Sequence, residues 1–263
     1  MGAVTVLPGL PAIDAGTLLL VFVRVGAMLA VLPVLGHRSQ PVTHRAGLAF
    51  ALTLVLGPVA PPAQLGGELL ALAAAVAAEA VTGLCVGFVA SLVLAVVRVA
   101  GELIGFEMGL GIAASYDPAM AMQAGPLTRL LDTLALLIFL VANGHHVALR
   151  VVAATLDRVP PGTLLSVSAT SAGVASLTAK VLRAGLELAT PLVAVLFAAN
   201  IALALLARVA PQMNVFAVGT PLTLGIGLLG FAQSLPRLIA ELVRLVAGMG
   251  QDMGAVLGGA LRG

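Results

Sequence analysis

Six stretches of this chain are almost free of charge, and several are about as long as a bilayer is thick. They cover residues 17–35, 46–60, 69–97, 130–142, 186–207 and 215–231. A helix that crosses a bilayer needs roughly 20 consecutive apolar residues, so the pattern predicts five to seven hydrophobic helices. Only 9% of the 263 residues are charged, against about 25% in an ordinary soluble domain. A water-soluble fold of this size could not cover its own surface, and an integral membrane protein is expected.

Turn and breaker residues cluster at 36–41, 57–67, 115–126, 159–171 and 210–221. Between them stand helix-compatible Leu, Ala and Val, so the chain is expected to be all-α, with neither a tandem repeat nor a low-complexity tail. The first basic residue, Arg24, lies inside the first apolar stretch. No positive n-region precedes that stretch, and no cleavable signal peptide is expected. Arg38 and Arg45 place the 36–45 loop on the cytoplasmic side. The formal charge of +2 comes from 13 basic residues scattered between apolar runs, which gives nucleic-acid binding no support. Cys85, in an apolar run, reads as a small buried hydrophobe.

Charge within these runs carries more information than charge outside them. About a dozen apolar neighbours, each contributing roughly 0.3 to 0.6 kcal/mol to insertion, offset a central arginine that costs about 2.5 to 3.5 kcal/mol. Arg24 is therefore expected to face protein or a polar cavity. Glu79, Gly83, Gly87 and Ser91 recur every four residues, which puts a carboxylate and three small side chains on one helical stripe that should pack against another helix. Arg24 and Glu79, opposite charges in neighbouring apolar spans, are expected to pair, and exchanging the two charges should then restore assembly. Gly101, Gly105 and Gly109 form a second stripe, with Arg98 and Glu102 one turn apart as a pair. Beyond Gly109 the helical signal decays through Gly111, Ser115, Asp117 and Pro118 into Met120, Met122 and Gly125. Non-helical backbone of this kind at membrane depth must line a cavity or be buried in protein.

Towards the C-terminus, Lys180, Arg183 and Glu187 share a face ahead of an apolar helix in which Pro191 is expected to introduce a kink and Asn200 a polar interruption. The 210–221 turn holds Pro211, Asn214, Phe216, Gly219 and Pro221, and a helix follows from about Leu222. Arg237, Glu241 and Arg244 lie on one face of it, with Leu238, Leu242, Leu245 and Val246 around the other sides.

No motif for catalysis emerges. His37, His44, His145 and His146 make no HExxH or other metal-ligand spacing, and the adjacent His145 and His146 are expected to point to different sides of a helix. No Walker A loop or GxSxG elbow occurs. The run from Gly225 to Gly230 fits GxGxxG but lies in an apolar helix and follows no strand, so it reads as helix packing. Neither an enzyme nor a cofactor is expected. A secondary transporter with a solute site at a broken helix near Pro118 or Pro191 is the alternative; such folds carry inverted repeats, and none is evident.

Several phrases, in one order across nearly the whole chain, resemble the FliR family of export-gate subunits, whose counterparts in virulence secretion are called SctT. They are residues 24–33, residues 38–41, Glu79-Ala80-Val81-Thr82-Gly83 with Gly87-Phe88, VRVAGELIGFEMGLGIAASYDP at 97–118, NGHH at 143–146, and ALLARVAPQMNVFAVGTPLTLGIGL at 204–228. The resemblance implies one subunit completing a helical assembly with several copies of FliP and FliQ, with FlhB associated and FlhA nearby. That assembly would sit in the bacterial inner membrane at the flagellar basal body, in contact with lipid and with unfolded export substrates. It also implies a FliP-like region over 1–182 and a FliQ-like helical hairpin over 183–263. A pore-plugging loop would fall on 108–122, with Met108, Gly109, Leu110, Gly111, Ile112, Tyr116, Asp117, Pro118, Met120 and Met122 as its gating residues. Glycines there let the backbone rearrange, and the apolar side chains can close a passage to ions without binding a passing chain tightly.

Overall fold

The structure is a computed structural model that describes residues 14–33, 41–63, 69–110, 125–163 and 167–260. Among these there are seven helices and no strand: α1 (Ala15–Val31), α2 (Val42–Leu56), α3 (Leu69–Glu107), α4 (Pro126–Val141), α5 (Gly144–Arg158), α6 (Val167–Val209) and α7 (Val215–Ala260). Helix boundaries follow local chemistry. α1 stops because Leu32 precedes Pro33 and is held extended, at φ −58° and ψ 127°. α4 opens on a proline, whose missing N–H would have had no partner in a first turn. α5 starts after Asn143, in the left-handed region at φ 56°, and ends at Val159, before Pro160.

α3 ends where the sequence pattern loses its helical signal, while the starts of α6 and α7 differ from expectation. α3 is a single helix of 39 residues that runs through Gly101 and Gly105, since neither glycine costs enough to stop a helix whose flanks are buried. α6 starts at Val167, inside the breaker cluster, and continues without interruption through Pro191. The loss of one amide donor there does not break a 43-residue helix, so the broken helix needed for a solute site at Pro191 is not present. α7 begins at Val215 rather than near Leu222, because Asn214 caps it: the Ala217 amide donates to Asn214 Oδ1 at 3.2 Å. The turn is thus 210–214, holding Pro211 and Asn214, while Phe216, Gly219 and Pro221 belong to the first turns of α7.

The chain divides into two compact units, one of Met1–Leu92, Ala142–Thr178 and Val246–Gly263, the other of Val93–Val141 and Ala179–Leu245. In the first, α1 packs on α2, and its stripe of Leu20, Val21, Val25, Met28 and Leu29 is almost completely buried. Ala75, Ala78, Val86 and Ala90 of α3, Ala148 and Val152 of α5, and Met249, Met253 and Val256 of α7 are buried as well. Gly173 of α6 and Val256 of α7 approach so closely that a Cβ on the glycine would lie 3.2 Å from the valine Cα. In the second unit the buried residues include Val96, Val97, Ala100 and Ile104 of α3, Leu131, Ala135 and Phe139 of α4, and Ala189, Leu192 and Leu196 of α6.

Three helices are long and apolar enough to cross a membrane, namely α3, residues 171–209 of α6 and residues 217–256 of α7, with a fourth span if α4 and α5 act as one broken pair. They differ in how much the chain itself covers them. The most apolar window of α3 is 56% buried, against 17% for α6 and 22% for α7, and Phe197, Leu205, Leu228 and Leu229 stand exposed. α6 and α7 therefore present apolar faces that water does not suit.

Candidate functional site

In the first unit, Arg24 on α1 and Glu79 on α3 are both completely buried, and they meet in a two-pronged ion pair. Arg24 Nε donates to Glu79 Oε2 at 2.6 Å and Nη2 to Oε1 at 3.0 Å. Nη2 also donates to the Val159 carbonyl at 2.8 Å, and Nη1 to Thr155 Oγ1 at 3.1 Å. The carboxylate in turn accepts the Gly162 amide at 2.9 Å, at a residue whose φ of +91° suits glycine. One guanidinium and one carboxylate thus tie α1, α3, the end of α5 and the turn after it. The Thr155 hydroxyl passes its own hydrogen to the Val152 carbonyl at 2.6 Å.

Helix contact beneath this network depends on glycine. A Cβ on Gly83 would collide with the Arg24 carbonyl oxygen and lie 2.9 Å from Ala27 Cβ; one on Gly87 would lie 2.6 Å from the Met28 carbonyl oxygen. Ser91, the fourth member of the stripe, turns back on its own helix and donates to the Phe88 carbonyl at 2.7 Å. The backbones of α1 and α3 approach closely only because two side chains are missing.

The second stripe behaves differently. In the second unit, Gly101 lies under Leu131 and Thr128 of α4, where a Cβ would come 2.8 Å from Leu131 Cδ1, but nothing stands within 4 Å of a Cβ on Gly105. A Gly105→Ala chain should therefore be about 0.5 to 1 kcal/mol more stable, the usual gain from replacing glycine inside a helix. Resistance to thermal unfolding in detergent checks this, and a loss of stability would show an unseen neighbour. Arg98 does not pair with Glu102 either. It forks onto Asp132 of α4, Nη2 to Oδ2 at 2.9 Å and Nε to Oδ1 at 3.3 Å, because a planar guanidinium facing a neighbouring helix finds a better-aligned carboxylate there.

α3 ends in a glycine cap. The Leu110 amide donates to the Gly105 carbonyl and the Gly109 amide to the Phe106 carbonyl, both at 3.0 Å, with Gly109 at φ +77°; this is the Schellman pairing. Met108 is buried beside it. The expected gating residues Met108, Gly109 and Leu110 are thus placed, while Gly111, Ile112, Tyr116, Asp117, Pro118, Met120 and Met122 lie outside the described residues. From α6, Asn200 Nδ2 donates to the Glu107 carbonyl at 3.1 Å and to Glu107 Oε2 at 3.0 Å.

The histidine pair departs from expectation. The rings of His145 and His146 lie with centroids 4.2 Å apart and tilted by 37°, so the two side chains lean together in the first turn of α5. Cys85 is half-buried rather than buried. Among the described residues no group of three or more His, Cys, Asp or Glu is placed to hold a metal ion. Thr155, the Val159 carbonyl and Gly162 were missed as partners of the buried pair, and two of the three are backbone groups with no signature in the sequence. Asp132 was detectable, as the one acid in α4.

Residues 15–249 match the family described as Bacterial export proteins, family 1. The chain is similar to the flagellar biosynthetic protein FliR of Escherichia coli (strain K12), 35% identical over 232 residues, covering 85% of this chain and 88% of that one. It is 33% identical to the protein of the same name from Bacillus subtilis (strain 168), covering 79% and 82%. It is 32% identical to that of Aquifex aeolicus (strain VF5), covering 84% and 85%.

Proposed function

The chain belongs to the bacterial export proteins, family 1, and from that premise we propose that it is a core subunit of the flagellar type III export gate. Membership makes it a component of a flagellar export apparatus, and its three membrane-capable helices accord with a membrane protein. The finer reading is a subunit without catalytic chemistry that builds, with FliP and FliQ homologues, the wall of a conduit for unfolded flagellar proteins. FlhB and FlhA homologues lie close by, in the inner membrane at the basal body. Within the chain, 1–182 forms the FliP-like part and 183–263 the FliQ-like hairpin. Support for the hairpin comes from two long helices, α6 and α7, joined by the short 210–214 turn.

The observation that carries the proposal is the breadth of the family match, which runs from α1 to within α7. Residues 108–122 are the plug. Support for that role is physical: α3 ends at a left-handed glycine, Gly109, at the start of this segment, a point where the chain direction can change without breaking the helix. The test is a chain lacking Gly109–Met120. It should still co-purify with FliP and FliQ homologues, while the membrane becomes permeable to ions and small solutes. A membrane that stays tight rejects the plug, and a chain that purifies without those partners rejects the subunit role.

A further inference from the structure

The last turn of α3 is held from two other helices of the second unit, in a way that neither the glycine cap nor the apolar core requires. An α-helix leaves its final four carbonyls without partners inside the helix. The cap supplies donors for Gly105 and Phe106. The Glu107 carbonyl receives Asn200 Nδ2, whose other bond goes to the Glu107 carboxylate. Thr223 Oγ1 of α7 approaches the Met108 carbonyl at 3.5 Å, a long contact beside its 3.1 Å bond to the Gly219 carbonyl. Four residues along α7, Gly227 faces the Met108 side chain, and a Cβ there would lie 2.5 Å from Met108 Cγ and 2.6 Å from its sulfur. Met108 therefore occupies a notch that glycine leaves in α7.

Asn200 and Glu107 are half-buried polar groups. Separating them strands an amide and a carboxylate where few other partners exist. Gly227 sits in a helix of high apolar content, where alanine would be the better helix former. Both are locally unfavourable choices that become favourable only when the end of α3 is seated between α6 and α7.

We infer that Asn200, Thr223 and Gly227 form a socket that fixes where α3 ends, so that the chain beyond it departs from one defined point. They are positioning residues, acting through the end of α3. The inference rests on the reading of 108–122 as the plug and adds what anchors it: a plug seals only if its root stays in place against the wall.

The test uses the full chain in its membrane complex, with Asn200→Leu and Gly227→Leu as separate variants. The deletion of Gly109–Met120 is measured alongside. Co-purification of the partner subunits, small-solute leakage and secretion of filament protein are read for each. Both point variants should keep the partners and leak more: Asn200→Leu by about tenfold, the shift in an open-to-closed balance expected when one hydrogen bond to a charged group is lost, and Gly227→Leu by filling the notch that Met108 occupies. If the deletion leaks while both point variants stay tight, the socket is wrong and the plug reading stands. If the deletion itself stays tight, both fall. Point variants that lose their partners would also overturn the socket, by showing a role in folding instead.

Discussion

Changing Glu79 to leucine should cost the first unit about 3 to 5 kcal/mol, the penalty for breaking a buried ion pair and leaving one charge uncompensated. Arg24, completely buried, would keep its bonds to Thr155 and Val159 but lose both prongs on the carboxylate. The Gly162 amide would lose its acceptor as well. That loss is a large part of the stability of a typical domain, about 5 to 15 kcal/mol, so the chain should fall to a small fraction of its normal level in membranes. Immunoblotting of membrane fractions after synthesis is blocked reads this directly, and a normal half-life would mean that the pair is dispensable. The geometry also revises the charge-exchange test. A glutamate at position 24 could not donate to the Val159 carbonyl, and an arginine at position 79 could not accept from Gly162. Exchanging Arg24 and Glu79 should therefore fail to restore the protein, although net charge is conserved. Arg24→Met paired with Glu79→Leu, which removes both charges, should be tolerated better than either single change.

The second large effect is expected from a single methyl group. Gly83→Ala places a Cβ against the Arg24 carbonyl oxygen and Ala27, and the first of these is backbone that cannot rotate aside. α1 must then move off α3, drawing Arg24 away from its carboxylate. Overpacking of this kind costs about 1 to 3 kcal/mol by itself, and the strained ion pair adds to it. Because Gly105→Ala changes the same helix by the same atom with nothing nearby, the pair of variants separates helix propensity from contact. Measured by thermal unfolding in detergent, the two should move in opposite directions. Equal shifts would show that the close approach at Gly83 is not what stabilises the unit.

The residues that the sequence made legible share one property: their environment left them a single solution. Arg24 and Glu79 stood alone in apolar runs, where opposite charges have little else to pair with, and Gly83 and Gly87 lay on one stripe with Glu79. The all-helical fold followed as directly from run lengths. What was hidden depended on geometry between segments far apart in the chain. Arg98 had Glu102 one turn away and still turned to Asp132 on α4. Gly105 continued a glycine stripe without a neighbour to justify it. The start of α7 was misplaced because Gly219 and Pro221 resemble turn residues in a string, whereas the Asn214 cap decides where the helix begins. Asn200 was visible as a polar interruption, but its bond to Glu107, 93 positions away, was not.

The first compact unit draws on both ends of the chain, since Met249, Met253 and Val256 near the C-terminus are buried as deeply as Leu20 and Val25 of α1. A ribosome adding about 5 to 20 residues per second needs roughly ten to thirty seconds to travel from the end of this unit's first segment to its last buried valine. During that interval the opening helices wait beside the translocation machinery without the residues that complete their packing. The order of synthesis thus makes the helices before Leu92 dependent on α7 residues made much later, and an insertion factor able to shelter unfinished helices would shield them in the meantime.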